Sequence, residues 1–77
     1  MPTVFEINGY KFFFYSNENN EPVHIHVSKG GATAKYWLIP IDEAYSYGFS
    51  SRERKEIKGL VKLNANKIIE TWKEFFK

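Results

Sequence analysis

The chain has no cysteine among its 77 residues. A disulfide framework and a thiolate metal site are therefore excluded, and the absence fits a reducing compartment. No apolar run approaches the roughly 20 residues that a membrane-spanning helix needs. The opening residues, Met1-Pro2-Thr3-Val4-Phe5-Glu6, lack the basic and apolar regions of a signal peptide. We therefore expect a cytoplasmic protein with no membrane segment.

The chain also has no large excess of either sign of charge, because its formal net charge is only +2. That excess is too small to indicate nucleic-acid binding by itself. The composition, 43% hydrophobic and 26% charged, is typical of a soluble globular protein, and we assign residues 1–77 to a single domain. Aromatic residues, in contrast, make up 18% of the chain. Because one small core holds few large rings, we expect some of them on an interface or a binding surface.

Four β-strands are predicted in the first half of the chain, over residues 3–7, 10–15, 23–28 and 32–39. Asn8-Gly9 and Gly30-Gly31 are typical hairpin turns between them, since both tolerate positive φ. Pro40 ends the fourth strand because proline cannot donate a ladder hydrogen bond. The pattern predicts a four-stranded antiparallel meander. Residues 41–49 could form a short fifth strand or one helical turn, and we favour a short irregular or extended segment.

The second half of the chain is predicted to be helical. Ser50 is a favourable N-cap, and Glu53 completes a capping box. Apolar residues then recur at spacings of three and four from Ile57 to Phe76. Poor helix formers at Asn64-Ala65-Asn66 interrupt this stripe, which allows one bent helix or two short helices, and its constant phase favours the bent helix. We therefore predict an α+β fold, with an amphipathic C-terminal helical segment packed on one face of the sheet.

Both histidines of the protein lie in one strand segment, Pro22-Val23-His24-Ile25-His26-Val27. Side chains two apart on a strand point the same way, so His24 and His26 share a face opposite the apolar residues. If the apolar residues meet the helical segment, the histidines lie on the uncovered face. The simplest interpretation is that they are partly exposed strand residues or pack in an interface.

Two chemistries are open to this histidine pair. His24 and His26 could ligate a metal ion, which requires a third ligand. The candidates for that ligand are Glu6, Glu21, Asp42 and Glu43. Alternatively, the two imidazoles could act as general acid and base in metal-free RNA cleavage, with Lys29 or Lys35 stabilising the developing charge. Trp37 joins the histidine face or the core, depending on the register between strands.

Several sequence blocks, taken in order, resemble a known family. They are Gly9-Tyr10-Lys11-Phe12-Phe13-Phe14-Tyr15-Ser16, Pro22 to Val27, Lys29-Gly30-Gly31, Ala34-Lys35-Tyr36-Trp37-Leu38, Gly48-Phe49-Ser50 and Trp72-Lys73-Glu74-Phe75-Phe76. Over nearly the whole chain they resemble the bacterial and archaeal family called domain of unknown function 4160. Val23 stands where the family typically has a second proline. The resemblance implies no established activity. The family's small genes are similar in style to toxin–antitoxin or mobile-element partners.

These observations lead to one main hypothesis and two alternatives. We expect a small cytoplasmic interaction module, without a cofactor, that binds a protein partner or a second copy of itself through the open sheet face. His24, His26 and Trp37 would be its contacts. The first alternative is a nucleic-acid binder, or an RNA endonuclease that uses His24 and His26. Its phosphate contacts would be Lys29, Lys35 and Lys55, and a loose similarity to small toxin ribonucleases points to the same histidines. The second alternative is a metal-binding domain.

Overall fold

The predicted meander sheet forms, with one strand more than the four assigned. The computed structural model describes residues 3–18 and 20–77, and its five strands form one antiparallel sheet in the order β1-β2-β3-β4-β5. The strands are β1 (Thr3–Ile7), β2 (Tyr10–Phe13), β3 (His24–Lys29), β4 (Ala32–Leu38) and β5 (Ile41–Tyr47), and the helices are α1 (Ser51–Leu63) and α2 (Ala65–Phe75). The α+β prediction is confirmed.

The turns follow the sequence signals. Asn8 and Gly9 have φ angles of 54° and 82°, the pair of positive values that a tight two-residue hairpin requires. Gly30, with φ of 60°, begins the turn between β3 and β4. A cis peptide bond between Ile39 and Pro40 lies at the connection to β5.

The segment after Pro40, which we expected to be short and irregular or extended, is a full strand of seven residues. Glu43 pairs with Tyr36 and Tyr45 pairs with Lys35, so Ala44 is an extra residue in a β-bulge. The bulge shifts the alternation by one residue. Before the bulge, odd-numbered residues of β5 pair with the core residues of β4, and after it even-numbered residues do. No single alternating pattern runs through the strand, so alternation does not identify it.

The helical segment consists of two helices instead of the single bent helix that we favoured. The predicted capping box is present, since Ser50 Oγ accepts from the N–H of Glu53 and the Glu53 side chain accepts from the N–H of Ser50. Asn64 separates the helices with φ −108° and ψ 15°, and its side-chain amide donates to the Leu60 carbonyl at 2.8 Å. Only one residue is lost from the helix, so the apolar stripe keeps its phase across the break.

Both helices pack on the sheet face that carries Phe12, Ile25 and Val27. The buried core consists of Tyr10, Phe12, Phe14, Ile25, Val27, Ala34, Tyr36, Leu38, Ile57, Val61, Ile68 and Trp72. Arg54 fastens α1 to β5 by pairing with Glu43, whose carboxylate also accepts from the Tyr36 hydroxyl. In the described part of the chain, neither helix is long and apolar enough to cross a bilayer.

Candidate metal centre

Strand β3 places both histidines on the sheet face opposite Ile25 and Val27, as the alternation predicts. His24 lies opposite Trp37 and His26 opposite Lys35 on the neighbouring strand. Their exposure differs from the expectation, because only 0% of His24 and 6% of His26 is accessible to solvent. The interpretation as partly exposed strand residues is therefore wrong. Neither imidazole is exposed enough to be a contact residue on the protein surface.

Glu18, in the connection between β2 and β3, lies against both histidines. The polar residues of this connection are typical of an exposed loop, but the Glu18 side chain is only 15% exposed. The N–H of Tyr15 donates to Glu18 Oε1 at 2.9 Å, and the N–H of Glu21 donates to the Glu18 carbonyl at 3.1 Å. These bonds hold the Glu18 carboxylate over β3.

Aromatic rings complete the enclosure. The indole of Trp72 reaches His24 from α2, with ring centroids 4.8 Å apart. Phe13 stacks on His26 at 5.5 Å, and Tyr15 meets the same imidazole edge-on at 4.9 Å. The two imidazoles lie at 88° to each other with centroids 5.2 Å apart.

The Glu18 carboxylate lies between the two imidazoles. His26 Nε2 is 3.1 Å from each carboxylate oxygen, and His24 Nε2 is 2.9 Å from Oε1. His24 Nδ1 is 2.9 Å from the carbonyl oxygen of Pro22. Because a carbonyl can only accept a hydrogen bond, the proton of a neutral His24 ring is on Nδ1 and Nε2 carries a lone pair.

That Nε2 atom has no hydrogen bond. It is fully buried. Glu18 Oε1 lies close to it, but the two atoms do not have the geometry of an N–H···O hydrogen bond. A nitrogen that carries a lone pair and an ionised carboxylate oxygen repel at this distance unless a positive charge lies between or beside them. The arrangement therefore calls for a cation or an additional proton.

The electrostatics of the cluster favour a carboxylate beside a neutral imidazole. Burial by itself would raise the pKa of Glu18, but the hydrogen bond from the N–H of Tyr15 and the two neighbouring imidazoles outweigh it and hold that pKa below its ordinary value. Burial lowers the pKa of His26, and the opposing effect of Glu18 does not restore it. Ionised carboxylates and neutral imidazoles are the forms that bind metal ions.

One ligand atom from each of Glu18, His24 and His26 lies within 4.8 Å of the others. A carboxylate with two imidazoles is a donor set that suits zinc and ferrous iron. The Pro22 carbonyl on His24 Nδ1 is the kind of outer hydrogen bond that orients a metal-binding histidine and leaves Nε2 to the metal. The residues present thus fit a divalent transition-metal ion.

The carboxylate in this cluster is not one of the four that the sequence suggested. Glu21 is 3.8 Å from His24 Nδ1, but it binds Lys35 Nζ at 2.7 Å. Glu43 is paired with Arg54, and Glu6 and Asp42 are exposed on the edge strands. Glu18 has no diagnostic spacing from the histidines. Its only signal is its place in the loop that leads into their strand.

The other predicted contacts separate into two groups. Lys35 and Trp37 share the histidine face, where Lys35 Nζ lies 4.4 Å from the Trp37 ring and Trp37 packs 5.6 Å from His24. Lys29 instead lies over the Tyr10 ring at 4.6 Å, and it lines a surface cavity with Lys55. The three lysines therefore do not form one track beside the histidines.

The family described as Domain of unknown function (DUF4160) matches residues 9–73, which is most of the chain. The chain belongs to the DUF4160 family. The matched range of this DUF4160 protein contains all three residues of the cluster. No curated protein and no solved structure matches the chain.

Proposed function

We propose that this DUF4160 protein binds a divalent transition-metal ion through Glu18, His24 and His26. The observation that carries the proposal is the buried, unbonded Nε2 atom of His24, 2.9 Å from a carboxylate oxygen. A metal ion that binds both atoms removes their repulsion and satisfies the nitrogen. A buried polar atom without a partner is rare in folded proteins because it costs about 1–3 kcal/mol.

The donor set narrows the class of ion. Calcium and magnesium prefer cages of oxygen atoms, whereas two imidazole nitrogens favour zinc, ferrous iron or a related ion. Structural zinc sites are normally closed by four protein ligands. Three ligands from the chain leave at least one coordination position for water or another molecule. We therefore propose a site that can exchange an outside ligand.

A competing explanation is that a second proton on His24 holds the cluster together as a buried ion pair. That arrangement needs no metal, and it predicts that zinc and cobalt bind weakly and without fixed stoichiometry. It also predicts that replacing the carboxylate affects stability but no metal-dependent signal. The two explanations therefore differ in a direct binding measurement.

Metal uptake by chelator-treated protein tests the proposal. Calorimetry with Zn²⁺ should show one saturable site, and Co²⁺ should produce the visible absorption bands of a four- or five-coordinate ion. Glu18→Gln, His24→Gln and His26→Gln should each weaken binding by at least about tenfold. Glu6→Gln is the matched control, because Glu6 is an exposed strand carboxylate outside the cluster. Wild-type protein that takes up neither ion, or a Glu18→Gln variant that binds like Glu6→Gln, would overturn the proposal.

A second candidate function is binding of a protein partner in the cytoplasm, as in a toxin–antitoxin-like or mobile-element system. It is favoured by exposed aromatics on the histidine face, since Tyr15 is 43% and Tyr47 66% accessible and Tyr47 stacks on Tyr45. Both edge strands contain a bulge, which disfavours edge-to-edge pairing and leaves the face for contact. Sedimentation velocity over a range of concentrations tests self-association. Tyr47→Ser should abolish any dimer, and an unchanged dimer would exclude this face.

The geometry gives less support to RNA cleavage by the histidines. General acid–base catalysis requires both imidazoles to reach the substrate, and the loop and Trp72 cover them. The lysines proposed as phosphate contacts are also divided between the two sides of the sheet. Nucleic-acid binding therefore remains a prediction that a salt-dependent binding assay can test.

A further inference from the structure

We infer that the metal ion, once bound, takes a tetrahedral oxyanion such as a phosphoryl group as its outside ligand, held also by Lys35 and Tyr45. This inference rests on the proposed metal-binding function. It names the chemistry of the molecule that would occupy the open coordination position. The open side of the cluster, the groups that border it and its net charge determine which outside ligand can bind.

The open side lies toward Glu18 and His26. His24 is completely buried and packs against the Trp72 ring. The side chains of His26 and Glu18 retain 7% and 15% of their exposure. An outside ligand must therefore reach a metal ion from the side where these two residues approach solvent.

A cross-strand row leads outward from His26 on this side. Phe13, His26, Lys35 and Tyr45 lie opposite one another on β2, β3, β4 and β5. Directly paired side chains on one face of a sheet have Cβ atoms about 5 Å apart. Lys35 is thus the immediate neighbour of His26, and Tyr45 is the next residue along. The row contains no acidic side chain.

The pKa of Tyr45 is affected by the same groups. Burial raises the pKa of its phenol, Lys35 lowers it, and the charges of Tyr15 and Glu18 raise it further. The Tyr45 ring therefore lies within electrostatic reach of both the Lys35 ammonium and the Glu18 carboxylate. Tyr15 borders the same side, because its ring packs edge-on against His26 and remains 43% exposed.

The Lys35 ammonium is held in place as a donor. It binds Glu21 at 2.7 Å, lies 4.4 Å from the Trp37 ring centre and has a side chain only 14% exposed. An ammonium has three N–H groups, and the contact with Glu21 uses one of them. The remaining donors are available to the oxygen atoms of an anion, and the Tyr45 phenol is a further candidate donor.

Metal binding reverses the charge of this region. Without a metal ion, Glu18 and Glu21 exceed Lys35 by one negative charge, which repels anions. A divalent cation changes the balance to one positive charge, and a bound anion can then neutralise it. The oxyanion should therefore bind to the metal-loaded protein and much more weakly to the metal-free protein.

Phosphate titration of the cobalt-loaded protein tests the inference. Addition of inorganic phosphate should shift the cobalt absorption bands in a saturable manner. Lys35→Met should raise the phosphate dissociation constant at least about tenfold, and Tyr45→Phe should raise it less, because hydrogen bonds to a charged group are the stronger ones. Lys55→Met is the matched control, since Lys55 is an exposed helical lysine that lines the cavity with Lys29. Sulfate and acetate, run in parallel, distinguish a tetrahedral oxyanion site from a site for any carboxylate.

The outcomes separate this inference from the proposed function. Absence of cobalt binding overturns both. Normal cobalt binding with no spectral response to phosphate overturns only the oxyanion site, as does a Lys35→Met variant that binds phosphate like Lys55→Met. Equal responses to acetate and phosphate would overturn the assignment to a tetrahedral oxyanion. Circular dichroism of each variant confirms that it is folded before these comparisons are made.

Discussion

The indole of Trp72 packs against the imidazole of His24, with ring centroids 4.8 Å apart and ring planes at 61°. The first residue belongs to the last helix and the second to the third strand. The same indole also contacts Phe14 and Phe76. Helix α2 therefore packs against the candidate metal centre as well as against the core.

Replacement of Trp72 should destabilise the protein strongly. Trp72 is 6% exposed, and loss of a buried tryptophan side chain typically costs about 3–5 kcal/mol. Urea denaturation should show this loss for Trp72→Ala. Phe75→Ala is the control on the same helix, because Phe75 is 47% exposed and should cost much less. Equal losses for the two variants would show that Trp72 does not hold α2 against the sheet.

Zinc should stabilise the folded protein, because the three proposed ligands come together only when the loop lies over β3. A ligand at one hundred times its dissociation constant stabilises the native state by about 2.7 kcal/mol. The melting temperature should therefore rise with zinc and fall again with a chelator. Glu18→Gln should lose this response and Glu6→Gln should keep it. A zinc-dependent rise that persists in Glu18→Gln would place the ion elsewhere.

The Glu43–Arg54 pair should contribute to stability at neutral pH and not in acid. Hydrogen bonds from Arg54 and then Tyr36, the first being the larger effect, outweigh burial and hold the pKa of Glu43 below its ordinary value. A lowered carboxyl pKa stabilises the fold above the pKa of the unfolded chain, and this stabilisation is lost as the pH falls through the folded pKa. Arg54 is 49% exposed, so solvent screens the pair and its contribution is small.

Glu43→Gln should therefore unfold more easily than the wild type at neutral pH. The difference between the two proteins should be smaller at about pH 3 and should vanish once Glu43 itself is protonated, which its lowered pKa shifts to more acidic conditions. Denaturant titrations at both pH values measure it. A difference that stays constant with pH would assign the effect to packing instead of charge.

Two glycines should respond to alanine in opposite directions. Gly59 lies in the interior of α1 with open space around its Cα, so Gly59→Ala should stabilise the protein by about 0.5–1 kcal/mol. Gly48 has φ of +86°, and a Cβ there would lie 3.1 Å from the Cβ of Ala32. Gly48→Ala should destabilise by more than about 1 kcal/mol. Thermal denaturation of both variants checks the pair, and a shift in the same direction for both would contradict it.

Local patterns in the sequence were sufficient for the first four strands, their hairpin turns and the start of the helical segment. Asn8-Gly9 predicts a hairpin because its two residues tolerate the positive φ angles found there. Ser50 and Glu53 predict the start of α1 because a capping box depends only on residues within one turn. Alternation in β3 assigns His24 and His26 to one face. These features are local, so they can be recognised without the rest of the fold.

Other features depended on the conformation of the folded chain. The bulge at Ala44 reverses the alternation in β5, and only the pairing with Lys35 and Tyr36 reveals it. The choice between one helix and two depended on the backbone of Asn64, whose φ and ψ leave the helical region while the apolar stripe continues.

The candidate centre was determined mainly by the tertiary structure. The sequence by itself established that two imidazoles share one face of a strand, because side-chain direction on a strand follows from the backbone. It could not select Glu18 among the carboxylates, since a loop has no periodicity that fixes where its side chains point. Nor could it show that the loop and Trp72 bury the histidines. Burial depends on Trp72, which lies far from the histidines in the chain, and the third ligand depends on how the loop folds back onto the next strand, so both exist only in the folded protein.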